Sequence, residues 1–507
     1  MQVSLWISSS KTGDPNLLRS KLKIVLAALS LVVPGCAWIP SVGPDYEPPD
    51  TRMQQAFREL PGGELTSEQR EQLASWWREL GDPDLDNLIE MALKDNFDLK
   101  IALSRAAQAR AQRRLAAGDF YPQIESGAGF TRSESSQNAF GPSQGNDSFF
   151  SPGATKNFYD TGLDSTWEID IFGGNRRAFE AASADYEAAL QLQRDVLVSL
   201  LAEVVGSFYE VRSLDKRVGI AKKNIEIQRE SAEIVQSRYD AGLASELDLS
   251  QAKAQLESTK AILPLIEVNR VRSRNSLSIL LGRSPDGLSD IIPVKEEAES
   301  SILNTAYPEK VLSGVPSELL RNRPDIRAAE RNLAASSARI GVAISDLYPK
   351  FTLAGSFGYS SDSSSSWFES ASRAWSFGPS FSWPIFAGGK IVANIEVQRE
   401  REKEALAAYG KTIIAAIADA ENSLSAFQRE HARFDSLTEA LAQNQRALEL
   451  SKELYTQGLA DFLRVLDAER ETFQAEEALA ISESQLLSNF ARVYKALGFG
   501  GEANMRP

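Results

Sequence analysis

The chain repeats itself, and each copy of the repeat mixes two hydrophobic periods. DFYPQIESGAGF (119–130) recurs as DLYPKFTLAGSF (346–357), and IDIFGGNRRAFEAA (169–182) as WPIFAGGKIVANIE (383–396). SRYDAGLASELDLSQAKAQLE (237–257) recurs as ELYTQGLADFLRVLDAERETF (453–473), and SILLGRSP (278–285) more weakly as YKALGFGG (494–501). Pro122 and Pro349 lie 227 residues apart, Gly242 and Gly458 only 216. Two steady offsets with one jump place a single length difference inside a strand pair. The surplus in the first copy is the Ser-, Gly-, Asn- and Pro-rich loop 133–153. A fold of two like halves follows.

Each half reads as helix, two strands, very long helix, medium helix. The first helices are expected over 85–117 and 317–345, and the strands over 122–132, 158–171, 349–360 and 374–386. The long helices run from residue 175 to about 240 and from 390 to about 457. At 1.5 Å of rise per residue each would be roughly 100 Å long, far beyond what a globular domain needs. Gly242 and Gly458 have the place of C-cap glycines, and Ser245 and Asp461 that of N-caps, so each junction reads as a tight helical hairpin. Pro264 is expected to bend the first returning helix.

The strands alternate strictly. Phe377, Pro379, Phe381, Trp383 and Ile385 interleave with small or polar residues, as do Phe351, Leu353, Gly355, Phe357 and Tyr359. In the second strand Tyr159, Leu163, Trp167, Ile169 and Ile171 oppose Asp160, Asp164, Glu168 and Asp170. Alternation gives one apolar and one polar face. Each strand is about long enough to cross a bilayer at a tilt, and aromatic residues gather near the ends. A soluble sheet covered by helices fits poorly, because the flanking helices are too long and too polar to cover one face. Four strands are too few to close a membrane barrel, so the chain is expected to share one; two copies would give eight strands and three would give twelve. Pro379 suggests a bulge or a local irregularity in its strand.

Composition removes other classes. The 507 residues carry a net charge of -14, one cysteine (Cys36) and one histidine (His431). So acidic a chain lacks the basic patches of nucleic-acid binding, and the Cys/His pair leaves no zinc site or intrachain disulfide. ALAAYGKT (405–412) falls short of a phosphate-binding loop, with Ala405 where glycine belongs and a helical pattern around it. His431 sits in a polar helical stretch, and no acid/base pair stands out, so neither an enzyme nor a cofactor is indicated. At the N-terminus Arg19, Lys21 and Lys23 precede the apolar run 24–33 and then Pro34-Gly35-Cys36, a secretory pattern too short to span a membrane. Cys36 resembles the lipidated cysteine of a bacterial lipobox; a plain cysteine in an apolar stretch is the alternative.

Together VGPDYEPP (42–49), SWWRELGDPDLDNLI (75–89), RNRPDIRAAERNLAAS (321–336), YPKFTLAGSFG (348–358), FAGGK (386–390), YTQGLADFLRVLDAE (455–469) and YKALG (494–498) resemble the bacterial outer-membrane efflux factors of the TolC/OprM/NodT type, in their lipoprotein branch. The resemblance implies an α+β membrane protein, a homotrimer whose four strands per chain make one twelve-stranded outer-membrane β-barrel, continued by a long periplasmic α-helical barrel. It implies a signal peptide (1–35), a lipidated N-terminal segment (36–83), repeats at 84–283 and 315–498, a linker (284–314) and a tail (499–507). It also implies a passive exit duct for small toxic compounds or drugs, docked on a periplasmic adaptor and an inner-membrane pump of the RND type. A periplasmic coiled-coil scaffold or adaptor would account for the helices and lipid but not for the strands. A barrel enzyme would account for the strands but not for the duplicated helices.

Site residues follow from the same resemblance. Phe351, Phe357, Tyr359, Phe377, Phe381 and Trp383 are expected to face lipid. The hairpins would form a periplasmic gate, with Asp467 in VLDAE and Asp248 as carboxylates ringing the pore and Tyr455 in closing contacts. Asp461 caps a hairpin, and Arg464 stands where many members carry another acid, where it would either pair with Asp461 or Asp467 and tighten the closure or dilute the acidic ring.

Overall fold

Glycine and proline punctuation separates the elements in both halves. The computed structural model describes residues 41–49, 74–134, 136, 155–285, 292–294, 296 and 323–501. The signal segment, Cys36, residues 317–322 and most of the loop 133–153 and the linker lie outside them. In chain order the elements are α1 (Pro83–Asp95), α2 (Phe97–Gly118), β1 (Gln123–Glu134), β2 (Thr155–Ile169), α3 (Gly174–Asp240) and α4 (Glu246–Leu280). The second half follows as α5 (Pro324–Ser345), β3 (Lys350–Ser361), β4 (Arg373–Ser382), α6 (Lys390–Thr456) and α7 (Phe462–Ala496). Contacts divide the chain into two units: 1–46, 114–181 and 336–400 hold the sheet, and 47–113, 182–335 and 401–507 hold most of the helical residues.

The expected first helix is two helices. Asn96 leaves the helical conformation, its side chain caps α2 by accepting from the Leu99 amide at 2.8 Å, and it donates to the Leu280 carbonyl at 2.9 Å. A short polar side chain competing for backbone groups ends one helix and starts the next. Pro264, by contrast, lies inside an uninterrupted α4. The long helices α3 and α6 both have 67 residues, and the returning helices α4 and α7 both have 35. Gly242 and Gly458 sit at φ 73° and 74°, where a side chain would be strained, and the amides of Leu243 and Leu459 donate back to Arg238 and Leu454.

The helical unit packs at several levels. Trp76, in a short 3-10 turn (Trp76–Leu80), stacks on Tyr494 of α7 at 4.8 Å and meets Phe490 edge-on at 6.0 Å. Further along, Leu214 and Val218 of α3 pack with Ile266 of α4 and Phe473 and Ala480 of α7. Lys216 and Glu483 form a buried ion pair at 2.8 Å in the same helices.

The sheet is antiparallel in the order β1-β2-β3-β4, so β1 and β4 are edges. The pairing puts Ile124, Phe130, Tyr159, Leu163, Trp167, Ile169, Phe351, Phe357, Tyr359, Trp375, Phe377 and Phe381 on one face. Phe377 and Phe381 are each 69% exposed. The other face carries Glu125, Asp160, Asp164, Glu168 and the small residues of β3 and β4, with Glu125 directly opposite Asp164.

Two details of the expected strands change. Pairing runs through Leu353↔Pro379 with constant register, so there is no bulge; within the single chain β4 is an edge, where the missing proline donor need not break the ladder. β4 also ends at Ser382, leaving Trp383 and Ile385 outside it, and β2 ends before Ile171. Pro384 removes a donor and restricts the residue before it, which stops the ladder. Trp383 is held instead by its indole N–H, which donates to the Leu347 carbonyl at 3.0 Å.

Candidate functional site

The two helical hairpins come together through their interiors. Val235 of α3, Leu249 and Ala252 of α4, Tyr455 of α6 and Phe462 and Val465 of α7 form one apolar cluster. Tyr455 is only 8% exposed, and its ring lies 5.6 Å from that of Phe462. Arg238, in the last turn of α3, lays its guanidinium over the Tyr455 ring at 4.6 Å and donates to the Tyr455 carbonyl at 3.2 Å. Burial pushes the Tyr455 hydroxyl above its ordinary pKa; Arg238 pulls it back and the charge of Asp248 adds to the rise.

Each returning helix starts with a side-chain cap, and the two caps differ. In the first hairpin Ser245 and Asp248 form a reciprocal capping box: the Asp248 amide donates to Ser245 Oγ at 3.1 Å and the Ser245 amide to Asp248 Oδ2 at 3.0 Å. In the second, Asp461 accepts from the Arg464 amide at 3.2 Å, and no acid answers from the third helical position because Arg464 occupies it. Of the partners open to Arg464, Asp461 engages only its backbone, whereas Asp467 pairs with Arg470 at 3.2 Å. Asp461 and Arg464 are exposed and Asp467 half-buried.

The hairpins thus combine a buried aromatic clasp with carboxylates held at the surface. Within one chain Tyr455 and Asp248 lie within electrostatic range, while Asp461, Arg464 and Asp467 follow one another along the start of α7. Sequence reasoning missed Arg238, although it stands in the repeated segment just before Gly242. It also missed the buried Glu469, which accepts from Ser231 at 2.7 Å and pairs with Lys452 at 3.0 Å, tying α3, α6 and α7 together. Glu469 closes the VLDAE motif, which was the signal that marked it.

This arrangement of a four-stranded sheet and paired long helices has counterparts among known proteins. The family model of outer membrane efflux proteins matches residues 88–283 and 315–499. The chain belongs to the outer membrane efflux protein family. Nodulation protein T of Rhizobium leguminosarum bv. viciae is 30% identical over 483 residues, which cover 94% of this chain and 93% of that protein. The solved outer-membrane channel OprN is 35% identical with a TM-score of 0.80 over 91% of this chain and 99% of its own. The open state of the MtrE outer membrane channel of Neisseria gonorrhoeae superposes with a TM-score of 0.77 at 27% identity, over 92% and 100%. Relatives in this family are channel proteins, and this efflux protein is a protein of the bacterial outer membrane. Among the described residues no group of three or more His, Cys, Asp or Glu side chains is placed to hold a metal ion.

Proposed function

We propose that three copies of this chain close one twelve-stranded barrel, and that the trimer is the passive outer-membrane exit duct of a tripartite efflux system for small toxic compounds. The observation that carries the reading is the open sheet. One face carries nearly all the large apolar side chains of the four strands, with Ile124, Phe130, Leu163, Phe357, Trp375, Phe377 and Phe381 exposed, and both edge strands carry backbone groups unpaired within the chain. In a bilayer each such group costs several kcal/mol, so a sheet of this kind is stable there only when closed by other copies. Four strands per chain cannot close alone, and the family resemblance selects three copies over two. Phe351, Phe357, Tyr359, Phe377 and Phe381 then face lipid, Trp383 lies just past the strand end, and Glu125, Asp164 and Glu168 face the lumen. Cys36 anchors the chain to the membrane by its lipid.

The hairpins form the resting closure at the periplasmic tip. Symmetry repeats Asp248, Asp461, Arg464 and Asp467 around a narrow axis, where carboxylates favour cations or basic groups of a docked partner. Tyr455 and Arg238 hold the two hairpins of each copy together beneath that ring. A periplasmic adaptor engages the tip, and an inner-membrane pump of the RND class supplies the energy.

Outer-membrane fractionation tests the class: an SDS-resistant, heat-modifiable trimer band is expected, and a monomer released by mild salt would sink the duct. Single-channel recordings test the gate. Asp248→Ala and Asp467→Ala are each expected to raise the closed-state conductance, and unchanged recordings from both would remove these residues from it.

A further inference from the structure

Each edge strand of the sheet carries an arginine one position beyond its last aromatic ring on the apolar face. On β1 the face reads Ile124, Ser126, Ala128, Phe130 and then Arg132; on β4, read in reverse, Phe381, Pro379, Phe377, Trp375 and then Arg373. At the same place the central strands are neutral, with Asn157 beyond Tyr159 and Ser361 beyond Tyr359. Arg132 and Arg373 are both exposed, and their cross-strand partners are the uncharged Asn157 and Tyr359. Glu134 lies two residues further along β1 on this face.

Beneath the arginines is a band of rings. Phe130 packs on Tyr159 at 4.7 Å and Tyr159 on Trp367 at 5.3 Å; Trp367 stacks on Phe368 at 4.9 Å, and Phe368 meets Tyr359 at 6.0 Å. This end of the sheet holds the β1–β2 and β3–β4 connections, opposite the strand ends that lead to and from helices. In an outer-membrane duct it is therefore the end at the outer leaflet, where aromatic rings mark the interface and cations reach the headgroups. The acids Glu125, Asp160, Asp164 and Glu168 lie on the opposite face, together with Lys156, and Glu134 is the one strand acid on the face of the arginines. Closure would put β1 of one copy beside β4 of the next, so Arg132, two residues before the end of β1, and Arg373, the first residue of β4, would both stand at the loop end of a seam shared by two subunits.

We infer that these paired arginines bind the phosphate groups of the outer-leaflet glycolipid, with Trp375, Phe377 and Phe130 lying along its acyl chains; the inference rests on the trimeric duct proposed above. A guanidinium presents a planar fork to two phosphate oxygens, which separates it from a generic positive charge. Lipid recognition by basic residues next to an aromatic interface follows the same electrostatics as other membrane surfaces.

The test uses the full-length trimer reconstituted into nanodiscs of phosphatidylethanolamine and phosphatidylglycerol, with bisphosphoryl lipid A or its dephosphorylated form added. Lipid retained after detergent extraction is counted per trimer by mass spectrometry. Wild type is expected to retain at least about five times more bisphosphoryl lipid A than Arg132→Gln/Arg373→Gln, with Arg132→Lys/Arg373→Lys in between and phospholipid retention alike in all three. If the double glutamine variant fails to assemble, Arg132→Gln and Arg373→Gln are read singly, each expected to lose part of the retention. Equal retention by wild type and glutamine variants overturns the site, as does equal retention of the dephosphorylated lipid. The trimer band is recorded on the same samples, so its absence in wild type marks failure of the duct reading and not of the arginines alone.

Discussion

Arg464 stands in the second hairpin where Asp248 stands in the first, at the third position of the returning helix. There an acid closes a capping box and favours the positive end of the helix, whereas a cation opposes it. Arg464→Asp is therefore expected to stabilise the start of α7 by about 0.5–1 kcal/mol, read as slower hydrogen exchange in peptides covering 461–467. Arg238→Ala removes both the stacking on Tyr455 and the bond to its carbonyl. A loss of roughly 1–2 kcal/mol is expected, with a leakier closed state in single-channel recordings, while Arg238→Lys retains charge but loses the planar stack. Glu469 adds a third residue-level test. Lys452→Met leaves the Glu469 carboxylate, 1% exposed, with Ser231 alone, and a cost of about 1–3 kcal/mol in thermal unfolding is expected.

Among the elements, β4 gives the sharpest test, because side-chain direction alternates with every residue. Inserting one alanine after Gly378 turns the residues on one side of the insertion to the opposite face, and loss of the trimer band is expected; inserting two restores the facing and should recover part of it. The strands were largely legible beforehand: the alternation of Phe351 to Tyr359 and of Phe377 to Phe381 is confined to local sequence, and the register bears it out. The long helices and their glycine ends were legible for the same reason. The break at Asn96 was not, because it depends on Leu280, 184 residues away. The end of β4 was overrun because the alternation of Trp383 and Ile385 continues past the point where Pro384 ends the hydrogen bonding. At the tip, capping by Ser245 and Asp461 could be read from spacing, but the Arg238–Tyr455 stack joins residues 217 apart and could not. Glu296 illustrates a contact of the same long-range kind: it is bonded to Lys222 of α3 and to Arg270 of α4, the latter at 2.7 Å. The hydrogen bond from Lys222, then that from Arg270, holds its carboxyl below the ordinary glutamate range. The stabilisation is thus present above the ordinary glutamate pKa and lost as pH falls through the lowered value. Peptides spanning 292–296 should lose exchange protection in that acidic window, and Glu296→Gln should weaken it at neutral pH.

At the scale of the whole molecule, most acids of the sheet gather on its polar face. Glu125 and Asp164 oppose each other on the polar face, a pairing that repels in isolation and that permeating cations would relieve. In reversal-potential measurements Glu125→Gln/Asp164→Asn is expected to reduce the preference for cations without abolishing conductance. The equal helix lengths of the two halves, 67 and 35 residues in each, match the paired long and returning helices of one repeat to those of the other. The free edges of β1 and β4 have a consequence for genetics. In the proposed trimer, a damaged chain that still offers one good edge would occupy sound chains in a barrel that does not close. Such alleles should be dominant over wild type, each defective copy taking two functional ones out of service, whereas alleles that destroy both edges should be recessive.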